Sequence, residues 1–269
     1  MTSTANSSET VLAVESLAVR FGGLVALSNV SFDVREGEVV SLIGPNGAGK
    51  TTAFNAITGF LPPSAGAIHY LGQPLTGLRP NRIADLGVVR TFQKTSVFAA
   101  NSVFDNLLIG LHLQGRARLW EILLALPRVQ AEEERLRAEA EEILDFVGLA
   151  AHSGDRGGAL PYGEQRLLEV AVALAAKPTL LLLDEPVSGM NPVETASFMT
   201  LLGKIRARGI TILLVEHDMR MVMGVSDRVI VLNQGDIIAE GTPEEIQRNP
   251  EVIRAYLGQG AGQRRAGRA

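Results

Sequence analysis

The residues best suited to chemistry in this chain form the segment Gly44-Pro-Asn-Gly-Ala-Gly-Lys-Thr51. Its pattern, G-x-x-x-x-G-K-[ST] between an apolar strand pattern and a helical one, predicts a phosphate-binding loop. Glycines let the backbone curl close to phosphate oxygens, so that N–H groups and the N-terminus of the next helix face the anion. Lys50 supplies a charge for the β- and γ-phosphates, and Thr51 offers a hydroxyl to Mg²⁺. The predicted nucleotide-binding residues here are Gly44, Pro45, Asn46, Gly47, Ala48, Gly49, Lys50, Thr51 and Thr52.

A second chemical feature is a pair of adjacent acids, Asp184 and Glu185, at the end of an apolar run. Asp184 is placed to hold Mg²⁺ through water. Glu185 could polarise an attacking water, because phosphoryl transfer needs an oriented nucleophile more than covalent help. His217 follows another apolar run and is a candidate for a γ-phosphate contact, although a lone histidine is more often structural. The predicted catalytic residues are Glu185, His217 and Lys50, with Thr51 and Asp184 as metal ligands.

The elements that position these residues are indicated by apolar periodicity. Short continuous apolar runs, 180–183 and 210–215, are typical of parallel strands covered on both faces. Residues 131–147 carry apolar side chains at helical spacing. Strand patterns up to about residue 93 and from about residue 179 bracket this mostly helical middle, which predicts an α/β core with a helical insertion.

Composition excludes several classes of function. The 25 basic and 29 acidic residues give a net charge of −4, which argues against nucleic-acid binding as the main activity. The absence of cysteine removes disulfides, thiolate metal sites and cysteine nucleophiles. Although 46% of residues are hydrophobic, no apolar run reaches the roughly 18 residues of a spanning helix, and the polar N-terminus lacks a secretory signal pattern. Membrane association is therefore expected to come through a partner.

Further segments make the sequence resemble the ATP-binding subunits of ABC transporters over about residues 11–257. They are similar to the family's glutamine loop, signature segment, D-loop and histidine switch, in that order: Thr91-Phe92-Gln93, Leu160-Pro-Tyr-Gly-Glu-Gln165, Ser188-Gly-Met-Asn191 and Glu216-His217-Asp218. The resemblance implies ATP and Mg²⁺ as cofactors. It also implies that Phe21 stacks on adenine, and that Gln93 contacts Mg²⁺ and the attacking water.

The same resemblance implies a P-loop NTPase (RecA-like) core with an antiparallel β subdomain and an inserted α-helical subdomain. A single ABC ATPase domain, 11–257, would comprise a core at 11–93 and 166–257 and a helical subdomain at about 94–165, followed by a flexible tail at 258–269. Two such subunits would pack head to tail, each ATP lying under the partner's signature segment. The signature residues implied for that role in trans are Tyr162, Gly163 and Glu164.

The signature segment departs from the usual Leu-Ser-Gly-Gly-Gln, because Pro161 has neither a hydroxyl nor a backbone N–H. A helix expected to start near Glu164 would still offer its positive end there. Arg90–Gln93, Tyr162–Arg166 and the closing segment 241–257 are similar to the branched-chain amino-acid uptake group, as is a longer helical region at 115–135.

The function implied is an ATPase coupled to transport, which powers uptake of branched-chain or related amino acids and small solutes through separate permease subunits. Its expected partners are those permeases, an identical or different second ATP-binding subunit and, indirectly, a solute-binding protein, but no nucleic acid. Its expected place is peripheral, on the cytoplasmic face of the inner or plasma membrane. The alternative is a soluble ABC-type ATPase that acts on nucleic acid or ribosomes.

Overall fold

A computed structural model of the protein describes residues 9–91, 97–112 and 127–256. The chain divides into two compact units. The first unit comprises residues 1–90, 179–185 and 199–269, and the second comprises 91–178 and 186–198. The second unit is therefore formed by two separate segments of the sequence, each flanked by segments of the first unit.

The strands of the described residues all belong to the first unit. They are β1 (Thr10–Phe21), β2 (Leu24–Arg35), β3 (Val39–Ile43), β4 (Ala65–Tyr70), β5 (Gln73–Pro74), β6 (Val88–Arg90), β7 (Leu180–Asp184), β8 (Thr211–Val215), β9 (Arg228–Asn233) and β10 (Asp236–Gly241). An antiparallel sheet has the order β2-β1-β4-β5, and a larger sheet has the order β10-β9-β3-β8-β7-β6. In the larger sheet only β10 is antiparallel to its neighbour.

The helices follow the α/β pattern expected from sequence. They are α1 (Lys50–Ile57), α2 (Pro80–Asp85), α3 (Val103–His112), α4 (Pro127–Val147), α5 (Tyr162–Ala175), α6 (Pro192–Ala207), α7 (Met219–Val225), α8 (Pro243–Arg248) and a final helical stretch at 250–256, with short 3₁₀ turns at Ala150–His152 and Gly157–Ala159. Helices α3, α4 and α5 lie in the second unit, and α6 begins in the second unit and ends in the first. None of the helices that the structure describes has the length and apolar character needed to cross a bilayer.

The prediction for the start of α5 was wrong by two residues. The helix begins at Tyr162 rather than near Glu164, because Pro161 occupies the N-cap position with φ −53°. The first bond of this helix runs from the N–H of Gln165 to the carbonyl of Pro161, at 3.0 Å. Tyr162, Gly163 and Glu164 therefore form its first turn.

Apolar burial explains why the central strands are continuous hydrophobic runs. Every residue of β3, β7 and β8 is buried, as expected for parallel strands that are covered on both faces. One hydrophobic core joins both sheets of the first unit to α1, whose Phe54 is fully buried. The strand that precedes the predicted phosphate loop is thus fixed by packing on all sides.

A network of charges fixes the approach to β3. Arg228, at the start of β9, donates from Nε and Nη2 to the two carboxylate oxygens of Glu38, at 2.8 and 3.0 Å. It also donates to the carboxylate of Asp33, at 3.2 Å, and pairs with Glu240. These carboxylates and the bonds from the guanidinium raise the pKa of Arg228, against the opposing effect of burial.

We expect Arg228→Ala to lower the free energy of unfolding by about 3 kcal/mol, because charge-assisted bonds to a largely buried guanidinium are lost and three carboxylates remain together. Urea denaturation measures this loss. Arg228→Lys should recover only part of it, since an ammonium group lacks the planar fork that reaches two acids at once. An alanine variant within about 0.5 kcal/mol of the parent would show that the network does not stabilise the fold.

Candidate nucleotide-binding site

The predicted phosphate loop follows β3 and leads directly into α1. Gly44 has φ +150°, and a Cβ there would lie 2.1 Å from the carbonyl oxygen of Leu232, so no other residue fits. Thr51, in the first turn of α1, is exposed, and Thr52 is half-buried. The N–H groups of a first helical turn have no intrahelical partner, and with the helix dipole they favour an anion.

Lys50 lies against its own loop. Its Nζ donates to the carbonyl oxygens of Gly44, at 2.6 Å, and Pro45, at 3.1 Å. Burial lowers the pKa of Lys50, and the negative charges of Glu185 and Asp184 oppose that shift. These bonds hold a buried cation at the predicted phosphate loop.

Asp184 ends β7, and its side chain is only 1% exposed. Its Oδ2 accepts a bond of 2.6 Å from Nη2 of Arg90, the last residue of β6. Its Oδ1 is buried and has no hydrogen-bond partner within the part of the chain that the structure describes. A buried carboxylate oxygen in that position is suited to accept from a metal-bound water.

Glu185 and His217 lie beyond the ends of β7 and β8. Glu185 has φ +49°, a conformation that costs a non-glycine residue about 1–3 kcal/mol and is concentrated at functional sites. A backbone bond of 2.8 Å to the carbonyl of Val215 holds it there. The Nδ1 of His217 lies 3.9 Å from Oε1 of Glu185, and the histidine side chain is 60% exposed. The acid and the histidine therefore meet at the same edge of the sheet as the loop.

Glu216 supports the histidine segment, and sequence reasoning assigned it no separate role. Its side chain is completely buried and accepts from the backbone N–H groups of His217, at 2.8 Å, and Asp218, at 3.1 Å. The sequence does indicate a buried acid here, because Glu216 directly follows an apolar strand pattern. A buried carboxylate requires a hydrogen-bond partner. Arg90 was also missed as a site residue, although a charged residue at the end of a parallel strand implies a buried partner.

Of the two remaining predicted nucleotide contacts, the structure describes Phe21 but not Gln93. Phe21 ends β1 and pairs with Leu24 across a two-residue turn, and its side chain is about half exposed. An exposed ring at a hairpin tip is able to stack on a planar base. Gln93 lies outside the described residues, as do most of the predicted extension 115–135 and the predicted tail 258–269.

The signature segment forms the beginning of α5 in the second unit. The hydroxyl oxygen of Tyr162 accepts from Nε and Nη2 of Arg166, at 3.1 and 2.6 Å, and the guanidinium lies 5.0 Å from the centre of the tyrosine ring. A Cβ at Gly163 would lie 3.0 Å from the carboxylate carbon of Glu194, so a larger residue would require that side chain to shift by a few tenths of an ångström. Oε2 of Glu164 lies 3.7 Å from Nε2 of His152, whose pKa is raised mainly by its bond to Asp155.

Comparison with known proteins agrees with this geometry. The family model described as ABC transporter matches residues 27–188, and the model described as branched-chain amino acid ATP-binding cassette transporter matches residues 237–262. The fold resembles a crystal structure of the ADP conformation of an ATP-binding cassette of an ABC transporter, with a TM-score of 0.82 and 32% identity, over 93% of this chain and 100% of that chain. A nucleotide-free ATP-binding cassette from an ABC transporter matches with a TM-score of 0.81 and 33% identity, over 92% of this chain and 99% of that chain.

Curated relatives match over nearly the whole chain. The high-affinity branched-chain amino acid transport ATP-binding protein LivG of Salmonella typhimurium is 48% identical, over 94% of this chain and 99% of the relative. The corresponding protein BraF of Pseudomonas aeruginosa is 44% identical over the same shares of the two chains. Similarity of this extent, on a P-loop α/β fold with the expected edge geometry, confirms the resemblance, and the chain belongs to the ABC transporter family of ATP-binding proteins.

Proposed function

We propose that this protein is the ATP-hydrolysing subunit of an importer and powers uptake of branched-chain or related amino acids through separate permease subunits. One observation carries the proposal. The carboxyl ends of three neighbouring parallel strands bring Lys50, the acid pair and His217 to one edge of the sheet. In open parallel sheets this edge is where nucleotides bind. The names of the relatives supply the solute class.

The residues present fit a Mg²⁺ ion bound with ATP. The buried Oδ1 of Asp184 has no partner among the described residues, and the exposed Thr51 lies in the first turn of α1. Carboxylate and hydroxyl oxygens are the ligands that Mg²⁺ prefers, usually with several waters retained. We propose Thr51, Gln93 and Asp184 as its protein ligands. When bound, Mg²⁺ would neutralise charge on the transferring phosphoryl group.

The catalytic roles that we propose follow from position and charge. Lys50 holds a cation over the loop, where the β- and γ-phosphates of ATP would bind. Glu185, one residue beyond Asp184 and held in a left-handed backbone conformation, orients and polarises the attacking water. His217 approaches the γ-phosphate from the neighbouring strand. Together these groups position the nucleophile and stabilise charge, which is nearly all that phosphoryl transfer requires of a protein.

Further proposed contacts complete the nucleotide site. Phe21 stacks on adenine, and the loop residues Gly44 to Thr52 surround the phosphates. Two subunits, identical or different, pack head to tail, so that Tyr162, Gly163 and Glu164 of one subunit face the ATP of the other. We also propose a helical subdomain at about 94–165 inserted into a core of 11–93 and 166–257. Its support is that residues 94–165 fall within the second compact unit, which comprises 91–178 and 186–198. The protein is peripheral to the membrane, on its cytoplasmic face, and a solute-binding protein is an indirect partner.

We expect Lys50→Ala to weaken ATP binding by at least about tenfold, because hydrogen bonds from a charged group contribute about 1.5–3 kcal/mol each. Isothermal titration with a non-hydrolysable ATP analogue measures the effect. Lys177→Ala is a matched control, since the Lys177 ammonium pairs with Glu139 at 2.7 Å on an exposed surface. Unchanged affinity in Lys50→Ala would mean that the loop is not the phosphate site.

We expect Glu185→Gln to bind ATP with Mg²⁺ but to hydrolyse it about 10²–10⁴ times more slowly, because a positioned general base contributes that factor. Phosphate release measures turnover, and size-exclusion chromatography with ATP should show a dimer that the parent loses as it hydrolyses nucleotide. Glu244→Gln, in the exposed first turn of α8, is the matched control. Normal turnover in Glu185→Gln would remove this residue from the water-activating role.

Transport itself is tested in cells that lack this chain but retain its permeases. The parent chain should restore uptake of radiolabelled leucine, isoleucine or valine, and Glu185→Gln should not, although both should co-purify with hydrophobic permease subunits from membranes. Restored uptake of a different small solute would correct the solute class only. Recovery with ribosomes instead of permeases would overturn the proposed function.

A further inference from the structure

Arg90 is a buried charge to which the proposed function assigns no role. It ends β6, an edge strand of the larger sheet, and pairs in register with Leu182 of β7. Its side chain is 5% exposed, and that of Asp184 is 1% exposed, with 2.6 Å between Nη2 and Oδ2. This ion pair lies almost entirely away from water.

The other end of the guanidinium is held by α1. Nη1 of Arg90 donates to Oδ1 of Asn55, at 2.7 Å, and lies 3.5 Å from the hydroxyl of Thr58. The guanidinium carbon also lies 5.4 Å from the centre of the Phe54 ring, which is within the range of a cation–π contact. Arg90 thus connects the helix that begins with Lys50 to the strand that ends with Asp184.

Such a buried pair is poor evidence for a role in stability. The cost of removing two charges from water offsets most of their attraction, and apolar residues of similar volume often replace such pairs without loss. Orientation is a better explanation, because a guanidinium fixed at both ends holds a carboxylate in one rotamer. Lysine could supply the charge but not the two-sided attachment.

The two oxygens of Asp184 differ in a way that matches this explanation. Oδ2 is taken by Arg90, whereas Oδ1 is buried without a hydrogen-bond partner in the described part of the chain. A buried acceptor left in that state carries a desolvation cost that no hydrogen bond offsets. That cost is relieved when a donor such as a metal-bound water reaches the oxygen. The pairing therefore selects which oxygen is left for the ion.

We propose that Arg90 is a positioning residue for the metal site: it binds Oδ2 of Asp184 and α1 at once, and so directs Oδ1 toward the hydrated Mg²⁺ of the bound nucleotide. This inference rests on the proposed function, because it requires that Asp184 meet Mg²⁺ with ATP. Groups that orient a metal-binding side chain typically contribute 10–100-fold to metal affinity. Arg90 contacts neither nucleotide nor metal in this arrangement and acts only through Asp184.

The test separates the metal contribution from the nucleotide contribution. The affinity of a non-hydrolysable ATP analogue is measured with excess EDTA and again with Mg²⁺. The affinity in Mg²⁺ divided by the affinity in EDTA reports the coupling between metal and nucleotide. In Arg90→Ala we expect this ratio to fall about tenfold or more, while the affinity in EDTA changes by less than about threefold. Arg90→Lys should restore part of the ratio, because lysine restores the positive charge but lacks the planar guanidinium that bonds at both ends.

Two further variants keep the inference falsifiable if Arg90→Ala folds poorly. Asn55→Ala removes the acceptor at the far end of the guanidinium and leaves the ion pair, so a smaller fall in the ratio is expected. Arg228→Ala removes another multiply paired arginine of the same unit, and it should lower stability without changing the ratio.

A spectroscopic measurement gives a second readout. The electron paramagnetic resonance spectrum of Mn²⁺ bound with the ATP analogue should be altered in Arg90→Ala and should match that of the parent in Arg228→Ala.

The outcomes distinguish this inference from the proposed function. If the parent chain gains no nucleotide affinity from Mg²⁺, the positioning role is overturned, whereas the proposed function is decided separately by hydrolysis and uptake. If the parent gains affinity and Arg90→Ala gains as much or more, only the positioning role is overturned, and Arg90 is a structural link. A loss of thermal stability with an unchanged ratio has the same meaning.

Discussion

The parallel pairing of β3, β8 and β7 is the constraint on which the site depends. Their register places Leu42 opposite Val215, and Val215 opposite Asp184, so the three strands end together. Because each strand is buried on both faces, packing on both sides fixes its position. A slip of one residue along β7 would move Asp184 by about 3.3 Å, which would break a bond of 2.6 Å to Arg90. Packing of the three strands therefore determines where the side chains at this edge of the sheet lie.

The charges at this edge are held by fixed partners rather than by solvent. The ammonium of Lys50 donates to two carbonyls of its loop, Asp184 binds a guanidinium, and Glu216 accepts from the backbone N–H groups after β8. Burial makes each of these interactions stronger and makes a missing partner more costly. Groups that are already oriented need no reorganisation when charge moves during reaction, which is the main electrostatic contribution that a protein makes to catalysis. Glu185 and His217, by contrast, remain partly open to solvent and are able to meet a water and a phosphate.

Features encoded within a few residues were predictable from the sequence. The predicted phosphate loop is recognised from a local motif of glycines, a lysine and a threonine, and the apolar runs before Asp184 and His217 indicate buried strands by themselves. The positioning role proposed for Arg90 was not predictable, because its contacts depend on the pairing of β6 with β7 and on an acid far along the chain. The left-handed backbone of Glu185 depends in the same way on a bond to Val215 in another strand. Long-range pairing, rather than local propensity, determines both.

The beginning of α5 departs from the family pattern at Pro161 but keeps the positive end of a helix at the same place. A serine or threonine at an N-cap accepts a bond from a first-turn N–H and so satisfies one donor within the helix. Pro161 makes no side-chain cap, and the N–H groups of Tyr162, Gly163 and Glu164 precede the first intrahelical bond. In the proposed head-to-tail dimer these donors face an anion together with the positive end of the helix dipole. In that proposed arrangement, recognition of the anion would rest on backbone N–H groups, because Pro161 supplies no hydroxyl.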